Sequence, residues 1–194
     1  MIDSEKPLVY WNYFLALEND LEQIARYIEF AEKNFKTYSI ELAHLLLTAS
    51  SEVDVVAKAL CKKINPNAPT KDINDYKKTI KKQLPDMIKE EVFIKGYGPK
   101  LRPWENWEGN NNPVWWQSYN DVKHNRSSCF EEANLKNVLD AMAGLLVIVF
   151  YFYKQEYGSI DAIYSDVKQL TKILRPETKL LRLSDKYYFE HVVY

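Results

Sequence analysis

Cysteine and glycine are scarce in this 194-residue chain, with two Cys and five Gly. Two distant cysteines, Cys61 and Cys129, make neither a disulfide framework nor a metal-ligand pattern. With only three separated histidines, His44, His124 and His191, no zinc site is expected. His44 and His191 stand alone and read as packing or surface residues. No Gly-rich phosphate loop, G-x-S-x-G elbow or dinucleotide fingerprint occurs, and no cofactor is expected. Long hydrophobic runs are missing too. The longest uninterrupted apolar stretch is Ala141 to Tyr153, thirteen residues counting Gly144, short of the roughly 20 that span a bilayer. The N-terminus, Met1 to Pro7, lacks the basic-then-apolar order of a secretion signal. The expectation is a reduced, cytoplasmic compartment and no membrane partner.

What is present is globular: 46% hydrophobic, 27% charged and 14% aromatic, with fourteen Tyr. A disordered chain has few aromatics, so most of this one folds, and its length suits a single domain over residues 1–194. The net charge of −1 argues against a whole-protein polyanion binder. The charge is uneven, however. Lys58 to Lys82 holds eight lysines against Asp72 and Asp75.

Apolar spacing predicts a first helix over about Glu18 to Phe35, on Leu21, Ile24, Ala25, Ile28 and Ala31. Ser39 suits the cap of a longer helix striped by Leu42, Leu45, Leu46, Ala49, Val53, Val56, Ala57, Leu60 and Ile64, stopped by Asn65-Pro66. A short helix over about Ile73 to Leu84 starts at Asp72 and ends at Pro85. Glu91 to Lys95 has strand composition, and Gly96, Gly98, Pro99 and Pro103 punctuate the residues after it. Asn112 and Pro113 predict a helix start, with that helix running to about Arg126. Ser128 and Glu131 have capping-box spacing and predict a helix from about Cys129 to Tyr157, closed by Gly158. Beyond it come a further helix over Ile160 to Leu174 and a packed tail from Leu180 to Tyr194. The sum is an all-α fold: an antiparallel helical bundle with a small irregular or hairpin excursion around residues 88–112.

One stretch carries plausible chemistry. Trp104, Trp107, Trp115 and Trp116 lie within thirteen residues, and the helix after them puts Trp116, Asn120, Lys123, His124 and Ser127 on one face. His124 suits acid–base work near neutral pH. Lys123 or Arg126 can hold a phosphate, and Asn120 can orient a hydroxyl or the imidazole. Trp115, Trp116 and Tyr119 are the aromatic binding candidates beside this face. Glu52, at the edge of the second helix's stripe, needs a partner that Lys123, His124 or Arg126 can supply. A satisfied polar network that fixes helix packing would use the same residues. Lys77, Lys78, Lys81 and Lys82 form a basic helical face that can track a phosphate backbone or simply face water.

The run Trp115-Trp116-x-x-Tyr119-Asn120-x-Val122-Lys123-His124-x-Arg126 resembles that of a set of uncharacterised bacterial proteins. Asn120 and His124 late in a helix, just before a long apolar one, resemble the HEPN superfamily of helical bundles in prokaryotic defence and toxin systems. That resemblance covers residues 15–155. It implies an RNA-binding or metal-independent RNA-cleaving protein, working as a homodimer with a composite site. His124 matches the motif His. The motif Arg has no counterpart at its spacing, the nearest upstream Arg being Arg102, and Lys123 and Arg126 flank the His instead. An RNA or nucleotide partner is the expectation. The alternative is a non-catalytic dimerisation module built on the Trp cluster and aromatic tail, and a pocket between the Trp-rich excursion and the bundle is the general place for a small ligand.

Overall fold

Ser39 opens α2 (Ile40–Ile64), the longest helix among the described residues, by accepting the Leu42 amide on its hydroxyl oxygen at 3.1 Å. That satisfies one of the first-turn amides that have no partner inside a helix. Asn65 ends it in an extended conformation before Pro66. Asp72 caps α3 (Ile73–Gln83), accepting the Asn74 and Asp75 amides at 2.8 and 3.2 Å. Both helices form where their spacing predicts. The computed structural model describes residues 7–157, 170 and 173–188.

Three boundaries differ from expectation. The first helix, α1 (Val9–Ala25), lies earlier than predicted because Trp11, Phe14 and Leu17 extend the buried stripe backwards, while Phe30 leaves it to pack on Tyr97 at 5.1 Å. Pro113, rather than Asn112, precedes α4 (Val114–Cys129), and its carbonyl accepts the Trp116 and Gln117 amides. The Ser128/Glu131 capping box does not form: the Ser128 hydroxyl donates to the Asn125 carbonyl. A 3-10 turn covers Phe130–Glu132, and the next helix, α5 (Leu135–Tyr157), starts where Asn134 accepts the Asn137 amide at 3.1 Å.

α5 is the core helix, buried nearly all round. Among the described residues it is the one helix long and apolar enough to cross a membrane, yet 83% of its most apolar window is buried inside the protein. It starts beside α2: the Leu135 and Lys136 amides donate to the Thr37 and Phe35 carbonyls, and Tyr38 bridges Asn134. It also ends beside α2, where Lys63 pairs with Glu156. The two central helices therefore run parallel, a departure from the antiparallel order expected. α1 runs against them, its Tyr10 amide donating to the Tyr153 hydroxyl at 3.2 Å. α4 also runs against α5, ending where α5 begins.

The fold is largely helical but not all-α. The excursion expected to be irregular or a hairpin is a hairpin, pairing β1 (Val92–Ile94) with β2 (Lys100–Leu101) and turning through Gly96 at φ 79°. A third strand, β3 (Leu181–Leu183), pairs antiparallel with β1, placing Val92 opposite Leu183 and Ile94 opposite Leu181. β3 arrives from the far end of the sequence because a buried acid receives it. Glu18, in the apolar face of α1, accepts the backbone amides of Lys179, Leu180 and Leu181 at 2.9, 3.1 and 2.8 Å. Beside it the Trp11 indole donates to the Pro176 carbonyl at 3.0 Å. The expected packing of the tail holds for Leu180, Leu181, Leu183 and Tyr187, which are buried. Gly158, most of the expected Ile160 to Leu174 helix, and residues 189–194 lie outside the described residues.

Candidate functional site

α4 carries the run singled out in the sequence. Its buried side is largely aromatic: Trp115, Trp116 and Tyr119 pack in sequence, ring centroids 5.8 and 5.3 Å apart, and Trp104 stands edge-on to Trp115 at 5.3 Å. The Trp115 indole donates to the Pro103 carbonyl at 2.8 Å. A Cβ added to Gly144 of α5 would lie 3.0 Å from Trp115 Cζ2, so the ring and helix touch and leave no room there for a small ligand. Trp115, Trp116 and Tyr119 are therefore core residues, not a binding platform. Trp104 and Trp107 are also fully buried.

The polar face divides. Asn120 bonds back to its own helix, its amide nitrogen donating to the Trp116 carbonyl at 2.8 Å. Lys123 donates to the Tyr119 hydroxyl at 3.1 Å and sits 5.2 Å above that ring, while remaining exposed. His124 and Arg126 are exposed, with no hydrogen-bond or ion-pair partner among the described residues. Between them Asn125 leaves the helical region, at φ −132° and ψ 39°. The α4 ladder opens at that point, and Lys123, His124 and Arg126 stand where it does.

Glu52 is not their partner. At 100° per residue, Glu52 shares the flank of Leu45 and Thr48, which face α1. Asp54, about 200° round the helix, is the residue that meets α3, accepting the Tyr76 hydroxyl at 2.9 Å. Glu52 has no polar partner among the described residues, and burial pushes its carboxyl above the ordinary value.

The basic face of α3 also divides. Lys77 donates to the Asn110 carbonyl and Asn112 Oδ1 at 2.7 and 3.1 Å, and Lys81 to the Glu108 and Gly109 carbonyls at 3.3 and 2.9 Å. These two lysines hold the loop that leads into α4. Lys78 and Lys82 are exposed. Arg102 is engaged with Glu105 and Glu108.

Two polar clusters escaped the sequence reading. Ser118 of α4 donates to Glu132 at 2.7 Å, and Asn137 of α5 donates to Ser118 Oγ and the Glu132 carbonyl at 3.0 and 2.9 Å. This network sets α4 against α5 directly below the open end. Glu90, fully buried, accepts from the Tyr151 and Tyr187 hydroxyls and from Lys186, at 2.9 Å for Tyr151 and 3.0 Å for Lys186. Burial, together with the Tyr187 hydrogen bond and the Glu90 charge, pushes the Tyr151 phenol up. A charged residue beside a strongly apolar strand was the available signal for Glu90, and Glu18's place among Phe14, Leu17 and Leu21 was the signal for the other buried acid.

Among the described residues no group of three or more His, Cys, Asp or Glu side chains can hold a metal ion. Comparison with known proteins gives no family assignment: no family model matches the chain, and neither a curated protein nor a solved structure is significantly similar to it.

Proposed function

We propose that this chain is a HEPN-like helical bundle, of the prokaryotic defence or toxin type, that binds RNA at the open end of α4 and cleaves it without a metal. A second copy completes the site, in the cytoplasm. The observation that supports this reading is the exposure of Lys123, His124 and Arg126 where the helix breaks at Asn125. The neighbouring aromatics and Asn120 are consumed by packing and by the backbone, whereas His124 and Arg126 have no partner among the described residues and Lys123 is exposed beyond its bond to the Tyr119 hydroxyl. Lys123 and Arg126 supply phosphate contacts. In cleavage, a base takes the ribose 2′-hydroxyl proton, the 2′-oxygen bonds to phosphorus, and the bond to the 5′-oxygen breaks as that oxygen gains a proton. One imidazole performs one of these transfers at a time. His124 of a second copy performs the other.

The test is incubation of the protein with single-stranded RNA over a range of salt. Wild type is expected to bind and cleave, and His124→Ala to bind without cleaving. Lys123→Ala and Arg126→Ala should each lower the slope of log affinity against log salt by about 0.7, the value of one single-strand phosphate contact. No salt-sensitive binding and no cleavage would end this reading.

A non-catalytic dimerisation module is the second reading, favoured by a different surface from the buried Trp cluster. Tyr38 and Ile40 are 52% and 63% exposed, and Tyr38 stands edge-on to Phe130 at 5.7 Å, next to the end of α4. A dimer by light scattering that Ile40→Lys dissociates, with no RNA activity, supports it.

A further inference from the structure

A groove of about 460 Å³ runs between α1 and α2, lined by Leu17, Asp20, Ile24, Tyr27, Glu41, His44, Leu45 and Thr48 among others. Its floor is Leu17, Ile24 and Leu45. Tyr27, 83% exposed, stands at its open end. Among the described residues no lysine or arginine lines it. Asp20 and Glu41 are exposed on opposite walls, and neither has a hydrogen-bond or ion-pair partner among the described residues. Glu52 continues the α2 flank one turn beyond Thr48, half-buried and equally without a partner.

We infer that this groove docks a basic, amphipathic helix of a partner protein. Charge complementarity along an apolar floor selects that occupant. Asp20 and Glu41 line the groove, Glu52 continues its α2 flank, and none of the three has an ion-pair partner among the described residues. The one that is half-buried, Glu52, lacks the cation that such a position demands. Two antiparallel helices present the seat for a third, and the helix-in-groove mode reads apolar anchors at three- and four-residue spacing. From Glu41 to Glu52 the flank is about 16 Å long, which fits an occupant of about three turns. Apolar side chains of that helix lie over Ile24 and Leu45 and against Tyr27, and its lysines or arginines meet Asp20, Glu41 and Glu52. The site is separate from the end of α4, because the groove side of α2 faces α1.

The experiment uses a fluorescein-labelled amphipathic peptide of leucine and lysine, about 12 residues long, and a counterpart in which every lysine is glutamate. Fluorescence anisotropy is expected to show binding of the lysine peptide alone, weakening as salt is raised. The double variant Asp20→Lys/Glu41→Lys should bind it at least about tenfold more weakly, a loss of about 1.4 kcal/mol. Tyr27→Ala should bind it more weakly as well. All of these positions are exposed, so the variants fold, as circular dichroism checks. RNA binding at α4 is measured in parallel and should not be weakened by the double variant, whose added lysines attract phosphate. Equal binding of both peptides, or undiminished binding by the double variant, overturns the inference. So does a wild-type dimer that the double variant dissociates, because the occupant is then a second copy.

Discussion

At the scale of single residues, carboxylates in apolar faces divide by what receives them. Glu18 and Glu90 are almost completely buried, and each is surrounded by donors: three backbone amides for one, two phenols and an ammonium for the other. Glu52 has none, and burial raises its carboxyl above the usual range. An acid whose folded-state pKa is raised holds its proton more tightly folded than unfolded. Its ionised form therefore costs stability above the raised pKa. That cost fades as the pH falls through it and is gone below the ordinary carboxylate value, about 4.3. Glu52→Gln is expected to be more stable than wild type at neutral pH and to lose that advantage in acid. Urea midpoints at the two pH values check this, and a gain that persists in acid would show that ionisation is not its cause.

At the scale of elements, caps decided more than propensity. Ser39, Asp72 and their helices were legible because the cap stands directly before the apolar stripe and a proline closes the far end. The start of α5 was not. Ser128 and Glu131 have the right spacing, but α4 runs through Ser128, which leaves no free first turn for it to cap. Asn134 caps α5 from a position where its side chain also donates to the Glu131 carbonyl. Asn134→Ala should therefore lower stability by about 1 kcal/mol. Ser128→Ala should change it by less than about 0.5 kcal/mol, as at ordinary surface positions. Chemical denaturation of the two variants compares them directly, and equal losses would contradict the assignment of the cap. On α3, a repeating Lys-Lys pattern gives the sites of charge but not their partners. Half of that lysine face is spent on carbonyls of the loop before α4.

At the scale of the molecule, the third strand ties the end of the sequence to its beginning. Glu18 of α1 holds the amides of Lys179, Leu180 and Leu181 across more than 160 positions. Removing the acceptor leaves three buried or half-buried donors unsatisfied, each costing about 1–3 kcal/mol. Glu18→Ala is expected to lose at least about 3 kcal/mol, a large part of the 5–15 kcal/mol typical of a domain. Its urea midpoint measures this, and a loss no larger than that of a surface substitution would show that β3 is held by its apolar side chains alone. Glu18→Gln should fall between, because one amide oxygen keeps the Leu180 and Leu181 bonds while its NH2 group faces the Lys179 N–H.

The sequence by itself determined the helices whose stripes and caps agree, the hairpin with its glycine turn, and the end of α4 as the place where polar groups outnumber their packing duties. These are local matters, set by spacing of three or four residues and by backbone preferences. Only the tertiary structure decided the rest. That α2 and α5 run parallel depends on bonds between residues about a hundred positions apart, at Phe35, Thr37, Leu135 and Lys136. That Trp115, Trp116 and Tyr119 are core depends on α5 lying against them, where Gly144 admits the Trp115 ring. That Glu52 faces α1 instead of His124 depends on which flank of α2 each neighbour covers. Helical spacing places a side chain on a face, and only long-range packing determines what stands opposite that face.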